Sequence, residues 1–146
     1  MTKEERKLLL KDLCGRLLYG VKYCRDSWNF EWDQEMPVVE VLEDIDKEGY
    51  INYRKVYKVE DIKPYLRPMS SMTEDEKAEY NRAADRDLDR MADKVGRKLQ
   101  GDEKLDETLT PYYEHIDWLL EHHFDYRGLI GMGLALEAPE GMYNFK

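Results

Sequence analysis

The sequence predicts an α+β fold in which an N-terminal helix, a small antiparallel β-barrel and a C-terminal helical arm follow one another. Three observations predict it. Apolar residues recur at helical spacing as far as Leu17, short β-branched and aromatic runs broken by turn signals fill residues 20–67, and helical spacing returns from Thr73 onward. The expected division is 1–72 for helix and barrel and 73–146 for the arm, packed together as one cooperative unit.

Thr2 and Glu5 have the spacing of a capping box, so the first helix starts there. Leu10, Leu13, Cys14 and Leu17 stand at i, i+3, i+4 and i+7 and form the face expected to meet the core. Gly20 stops the helix, because glycine enters the left-handed conformation without a steric cost. Strands are expected at about 21–25, 37–43, 50–53, 56–58 and 65–67. Asp46-Lys47-Glu48-Gly49 reads as a hairpin turn, and residues 59–64 as a single helical turn. Five short strands with one helical turn before the last is the order of an SH3-like barrel.

A second capping box, Thr73 with Glu76, opens a helix that runs to about Leu99. Its apolar stripe is Tyr80, Ala84, Leu88, Met91 and Val95, and the opposite face is densely charged. Alanines at 83, 84 and 92 make the stripe shallow, which suits close pairing with another helix and admits a homodimer. An acidic linker follows. Thr110-Pro111 starts a third helix, with proline where its missing N–H costs nothing. Asp125 caps a short fourth helix over 126–132, and residues 134–139 are expected to be extended.

The net charge of −9 is unevenly spread. Residues 1–67 carry 13 basic and 14 acidic groups, 68–100 carry 7 and 8, and 101–146 carry 3 and 10, so the final third holds seven of the nine excess charges. A one-sided acidic field steers a basic partner and repels a phosphate backbone. Nucleic acid is accordingly an unfavoured partner. No run approaches the ~18 apolar residues of a membrane span, and the N-terminus lacks a signal-peptide apolar region. The expectation is a cytoplasmic protein with no membrane contact, in which Cys14 and Cys24 are free thiols.

Motifs for chemistry are sparse. No Walker loop or Gly-x-Gly-x-x-Gly occurs, and none of Ser27, Ser70 and Ser71 lies in Gly-x-Ser-x-Gly. No catalytic residue and no cofactor is assigned. His115, His122, His123 and Asp125 are ligand-type side chains and the candidate metal ligands, but adjacent histidines on a helix point about 100° apart, and the cluster reads first as packing and capping. The carboxylates Asp85, Asp87 and Asp89 read as a solvated helix face. The conspicuous feature is Trp28-Asn29-Phe30-Glu31-Trp32, between two predicted strands. Trp28, Phe30 and Trp32 are candidate binding residues, because aromatics bury much area at small entropic cost. Tyr126 and Arg127 join them. Acidic neighbours turn this loop toward a protein or peptide partner or a small cationic ligand rather than stacked bases, the alternative being that its rings fold back to cap the barrel.

The stretch from Ile62 to Glu76 and the stretch from Ile116 through Tyr143, with its Ile-Asp-Trp-Leu-Leu-Glu-His-His-Phe-Asp-Tyr-Arg-Gly-Leu-Ile string, resemble a family of uncharacterised small proteins of anaerobic gut bacteria and their bacteriophages and prophages. The opening from Leu8 to Val21 is also similar, with Leu18 where the family pattern usually reads Pro. The resemblance implies a phage-associated context and carries no chemistry. The expectation is a non-enzymatic interaction protein that binds a host or phage protein, as an inhibitor of a host defence system would. The alternatives are a metal-dependent hydrolase or nuclease accessory built on the histidine cluster, and a nucleic-acid-binding small barrel.

Overall fold

A computed structural model describes residues 1–25, 38–53, 55–99 and 113–143, with the side chains of 94–99 left aside. The fold is α+β. In chain order the elements are α1 (Lys3–Arg16), β1 (Lys22–Arg25), β2 (Val38–Val41), β3 (Ile62–Leu66), α2 (Glu74–Leu99), α3 (Glu114–Glu121) and β4 (Leu136–Glu137). Two compact units contain them: residues 1–71 with 120–146, and residues 72–119.

In the first unit α1 begins where the sequence places it, with the Thr2 hydroxyl accepting the Glu5 N–H at 3.0 Å. Its buried face is Leu9, Asp12, Leu13 and Arg16, while Cys14 is exposed. The face is rotated from the expected one because Asp12 and Arg16, one turn apart, are buried as an ion pair at 2.7 Å. A short 3₁₀ turn, Leu17–Tyr19, follows, and Gly20 closes it in the left-handed conformation at φ 68°.

The sheet has four strands in the order β2-β1-β3-β4. β1 is antiparallel to β2 and β3, and β3 is parallel to β4. Among the described residues it is an open mixed sheet, not the closed antiparallel barrel that the spacing of short strands suggested. Two local causes are visible. Asn52 and Tyr53 have φ of 53° and 59°, which no strand tolerates, so the expected strands at 50–53 and 56–58 yield only the isolated bridges Ile45–Ile51 and Tyr50–Lys58. Asn52 then holds its loop by accepting the Glu43 N–H at 2.7 Å and donating to the Val41 carbonyl at 2.9 Å.

Pro64 is the second cause. It has no N–H, and β1 and β3 pair only from Arg25–Ile62 to Tyr23–Pro64. Beyond that point the Tyr143 hydroxyl stands between the strands, accepting the Lys22 N–H at 2.8 Å and donating to the Tyr65 carbonyl at 2.9 Å. The end of β3 turns instead to β4, matching Tyr65 with Leu136. The extended stretch expected at 134–139 is thus the fourth strand.

Leu9, Leu13, Val21, Ile62, Leu66 and Leu129 are all at most 1% exposed and form the centre of this unit's core. The hairpin turn at Asp46–Gly49 is as expected, with the Gly49 N–H on the Asp46 carbonyl at 3.0 Å. Gly49 is at φ 92°, and a Cβ there would lie 2.5 Å from Arg6 Nη2, which itself donates to the Glu48 carbonyl at 2.9 Å. The turn before β3 is also present, as the 3₁₀ turn Val59–Asp61. Residues 126–132 form successive turns rather than a fourth helix, yet Asp125 caps them, accepting the N–H groups of Leu129 at 2.8 Å and Ile130 at 2.9 Å.

In the second unit, α2 opens with a reciprocal capping box. Thr73 N–H donates to Glu76 Oε1 at 3.0 Å and Glu76 N–H to the Thr73 hydroxyl at 3.2 Å. Its buried positions are Ala83 and Asp87, and Leu88 and Met91 of the expected stripe are exposed. Among the described residues no helix is long and apolar enough to cross a membrane.

Candidate functional site

The first N–H groups of any helix lack partners within it. At the start of α3 those of Glu114 and His115 are both taken by the Asp87 carboxylate of α2, each at 2.9 Å. The same carboxylate is bonded by His115 Nδ1 and by the Arg90 guanidinium. Burial to 4% exposure would by itself raise the Asp87 carboxyl. The backbone and ring of His115, the Glu114 backbone and Arg90 overcome this and hold it far below the usual carboxylate range. An ionised acceptor at Nδ1 makes that nitrogen the donor and fixes the ring's orientation.

Glu114 extends the network outward, accepting from Arg86 Nη2 at 2.6 Å and Nε at 3.0 Å, and from Arg90 at 3.3 Å. The Arg86 hydrogen bond, assisted by the charges of Arg86 and Arg90, lowers its carboxyl. Two arginines, two carboxylates and an imidazole therefore form one hydrogen-bonded set within this unit.

Aromatic rings surround His115. Tyr80 and Tyr113 each stand edge-on to it at 6.0 Å between centroids, and Trp118 is 5.9 Å from Tyr80. The Trp118 indole N–H donates to Glu79 Oε2 at 3.3 Å. Tyr113 is 42% exposed and Tyr80, His115 and Trp118 are half-buried. Tyrosine, tryptophan and arginine are the residue types that dominate binding energy at protein interfaces. The arrangement presents a partly exposed aromatic surface in which the buried carboxylate fixes the His115 ring and the start of α3 that carries it.

The other expected site residues belong to the first unit. His123 has φ 65°, and its ring stacks on Tyr143 at 3.7 Å with 16° between the planes. Burial, with Arg16 and Arg67 nearby, pushes its imidazole down to about 3, so it is neutral at physiological pH. Burial likewise pushes the Tyr143 phenol up to about 12. The His122 carbonyl accepts from Arg67 Nη1 at 3.4 Å. Arg127 Nε bonds Asp12 Oδ1 at 3.0 Å, and its guanidinium lies 4.8 Å over the Tyr126 ring. Arg16 completes this buried set by donating to the Phe124 carbonyl at 2.7 Å.

His115 thus lies in a different unit from His122, His123 and Asp125. Among the described residues no three histidine, cysteine or carboxylate side chains gather in a way that could hold a metal ion. Trp28, Phe30 and Trp32 lie outside the described residues.

Sequence reasoning missed Tyr80, Tyr113, Trp118 and above all Asp87, which was read as solvated and is buried. A signal was present: Tyr80, Ala83, Ala84 and Asp87 recur at helical spacing, so an acid at 87 stands on the face that packs. The chain matches no protein-family model, and neither the curated proteins nor the solved structures contain a match to it.

Proposed function

We propose that the chain is a non-enzymatic interaction protein and that it binds a protein partner through the aromatic surface of Tyr80, Tyr113, His115 and Trp118. The observation that carries this reading is the half-exposed set of rings packed around His115, whose own ring the buried Asp87 holds. Binding through rings already fixed in place loses little conformational entropy, which is what a recognition surface requires. The strongly acidic final third of the sequence favours a partner with a basic surface.

The resemblance of residues 62–76 and 116–143 to proteins of gut bacteria and their phages supplies the setting. In that setting we take the partner to be a host or phage protein and the role to be inhibition of a host defence system. The test is plating efficiency of a defence-sensitive phage on host strains that each carry one defence system, with and without the chain expressed. Plating rises at least tenfold on one strain with the native chain and not with Tyr113→Ala plus Trp118→Ala. Unchanged plating on every strain overturns the defence role.

A further inference from the structure

Hydrogen bonds tie three carboxylates, Asp87, Glu114 and Glu79, to the helices that carry the aromatic rings of the second unit, and two of them are already neutralised. Asp87 is paired with Arg90 and His115, and Glu114 with Arg86 and Arg90. Glu79 differs. It is exposed on α2, and its Oε2 accepts the Trp118 indole N–H at 3.3 Å, which sets the carboxylate beside the rings. Among the described residues no lysine, arginine or histidine forms an ion pair with Glu79, and Arg82, three residues on, forms none with it either.

The rings next to this carboxylate have the chemistry to hold a cation. Tyr80 adjoins Glu79 in the chain, and its ring lies 5.9 Å from that of Trp118 with 51° between the planes; both are half-buried. The negative face of an aromatic ring attracts a cation, tryptophan most strongly, and an adjacent carboxylate adds its charge to the same attraction. An indole whose N–H donates to a carboxylate is polarised further in that direction. A guanidinium suits such a place better than an ammonium, because it is planar enough to lie on a ring, forked to match a carboxylate and more weakly hydrated. We propose that Glu79, Tyr80 and Trp118 together take one arginine side chain of the protein partner, its guanidinium against the rings and the Glu79 carboxylate. This assignment rests on the aromatic surface being the partner contact.

The test is titration of the isotope-labelled full chain with N-acetyl-arginine amide, N-acetyl-lysine amide and the neutral N-acetyl-citrulline amide, following the Trp118 indole N–H resonance, which Trp118→Phe identifies. Arginine amide is expected to move it saturably, with the millimolar or weaker affinity of a single side chain. Lysine amide should bind at least threefold more weakly, and citrulline amide should leave the resonance in place. Glu79→Gln keeps an oxygen for the indole N–H and removes only the charge, so it should weaken arginine amide at least threefold, with unchanged resonances elsewhere showing that the variant is folded. A resonance that does not move, an equal response to citrulline amide, or a response unaltered in Glu79→Gln overturns the proposal. An equal response to lysine amide overturns the choice of arginine. Capture from phage-infected host extract separates this site from the surface it belongs to. A protein enriched by the native chain should fall at least threefold in Glu79→Gln. Its loss from Tyr113→Ala plus Trp118→Ala but not from Glu79→Gln overturns the arginine contact alone, whereas equal enrichment by the native chain and every variant overturns the surface and the arginine contact together.

Discussion

The two units each bury a carboxylate beside arginine, and they use it in opposite ways. In the first, Asp12 is fully buried between Arg16 and Arg127, and all three serve to tie α1 to the chain around Phe124. In the second, Asp87 is nearly as buried, but its partner Arg90 is exposed and its partner His115 is half-buried. The same chemistry is structural cement in one place and an orienting device in the other. What differs is the main arginine partner, fully buried at Arg16 and half-exposed at Arg90, while Arg127 and His115 are each partly exposed.

Asp12→Ala should have the largest effect. It leaves the Arg16 guanidinium buried without its counter-charge, which costs about 3–5 kcal/mol. Urea unfolding measures this, and Asp12→Ala combined with Arg16→Met should recover much of the loss. A loss below about 1 kcal/mol would mean that water reaches the pair and that the contrast between the units is wrong.

Asp87→Ala comes next, with an expected loss of about 2–3 kcal/mol, because the start of α3 and the His115 ring lose their acceptor. Here the signature beyond stability is local. The near-ultraviolet dichroism of Tyr80, Tyr113 and Trp118 should flatten, and amide exchange at Glu114 and His115 should accelerate. Asp12→Ala at matched stability should leave both unchanged.

Acid separates the units further. His123 binds a proton less readily folded than unfolded, so its contribution is complete above its ordinary value near 6.5 and is lost as pH falls from there toward about 3. By pH 5 this amounts to about 2 kcal/mol. The depressed Asp87 carboxyl contributes above the ordinary carboxylate range and is lost only below about pH 4. Between pH 6.5 and 4, of these two groups, only His123 acts, and His123→Phe should flatten the stability profile there. Tyr143→Phe is the smallest change, about 1–2 kcal/mol, from leaving the Lys22 N–H and Tyr65 carbonyl without the hydroxyl between them.

Caps and tight turns were legible in the sequence, although the helix expected over 126–132 and the strands at 50–53 and 56–58 were not found. The capping residues Thr2 and Thr73, the Asp46–Gly49 turn, the one-turn helix before β3 and the cap at Asp125 each depend on contacts within a few residues, and each is found. The sheet was not legible in the same way. Its fourth strand comes from Leu136–Glu137, some seventy positions beyond β3, and parallel pairing over that distance leaves no trace in spacing. Pro64 and Asn52, which stop the strands that a barrel would need, are single residues whose effect depends on which neighbour they face.

The candidate site was hidden for a related reason. A carboxylate on a charged helix looks solvated until a second helix, 27 residues away at Glu114, delivers its N–H groups to it. The expected stripe of Tyr80, Ala84, Leu88, Met91 and Val95 left Asp87 on the charged face, whereas its carboxylate is buried beneath the start of α3. The stripe at Leu88 and Met91 shows the converse, apolar residues at perfect helical spacing that the described residues leave uncovered.

The surface over Asp87 is the one proposed to recognise a partner, while the buried set around Asp12 ties α1 to the chain around Phe124. The most direct measurement is affinity capture with tagged chain from phage-infected host extract, quantified for the native protein, Tyr113→Ala plus Trp118→Ala, and Tyr143→Phe. The expected result is a protein enriched by the native chain, retained by Tyr143→Phe and lost at least tenfold from the double variant, whose melting temperature stays within a few degrees of native. Equal enrichment by the native chain and the double variant would contradict it.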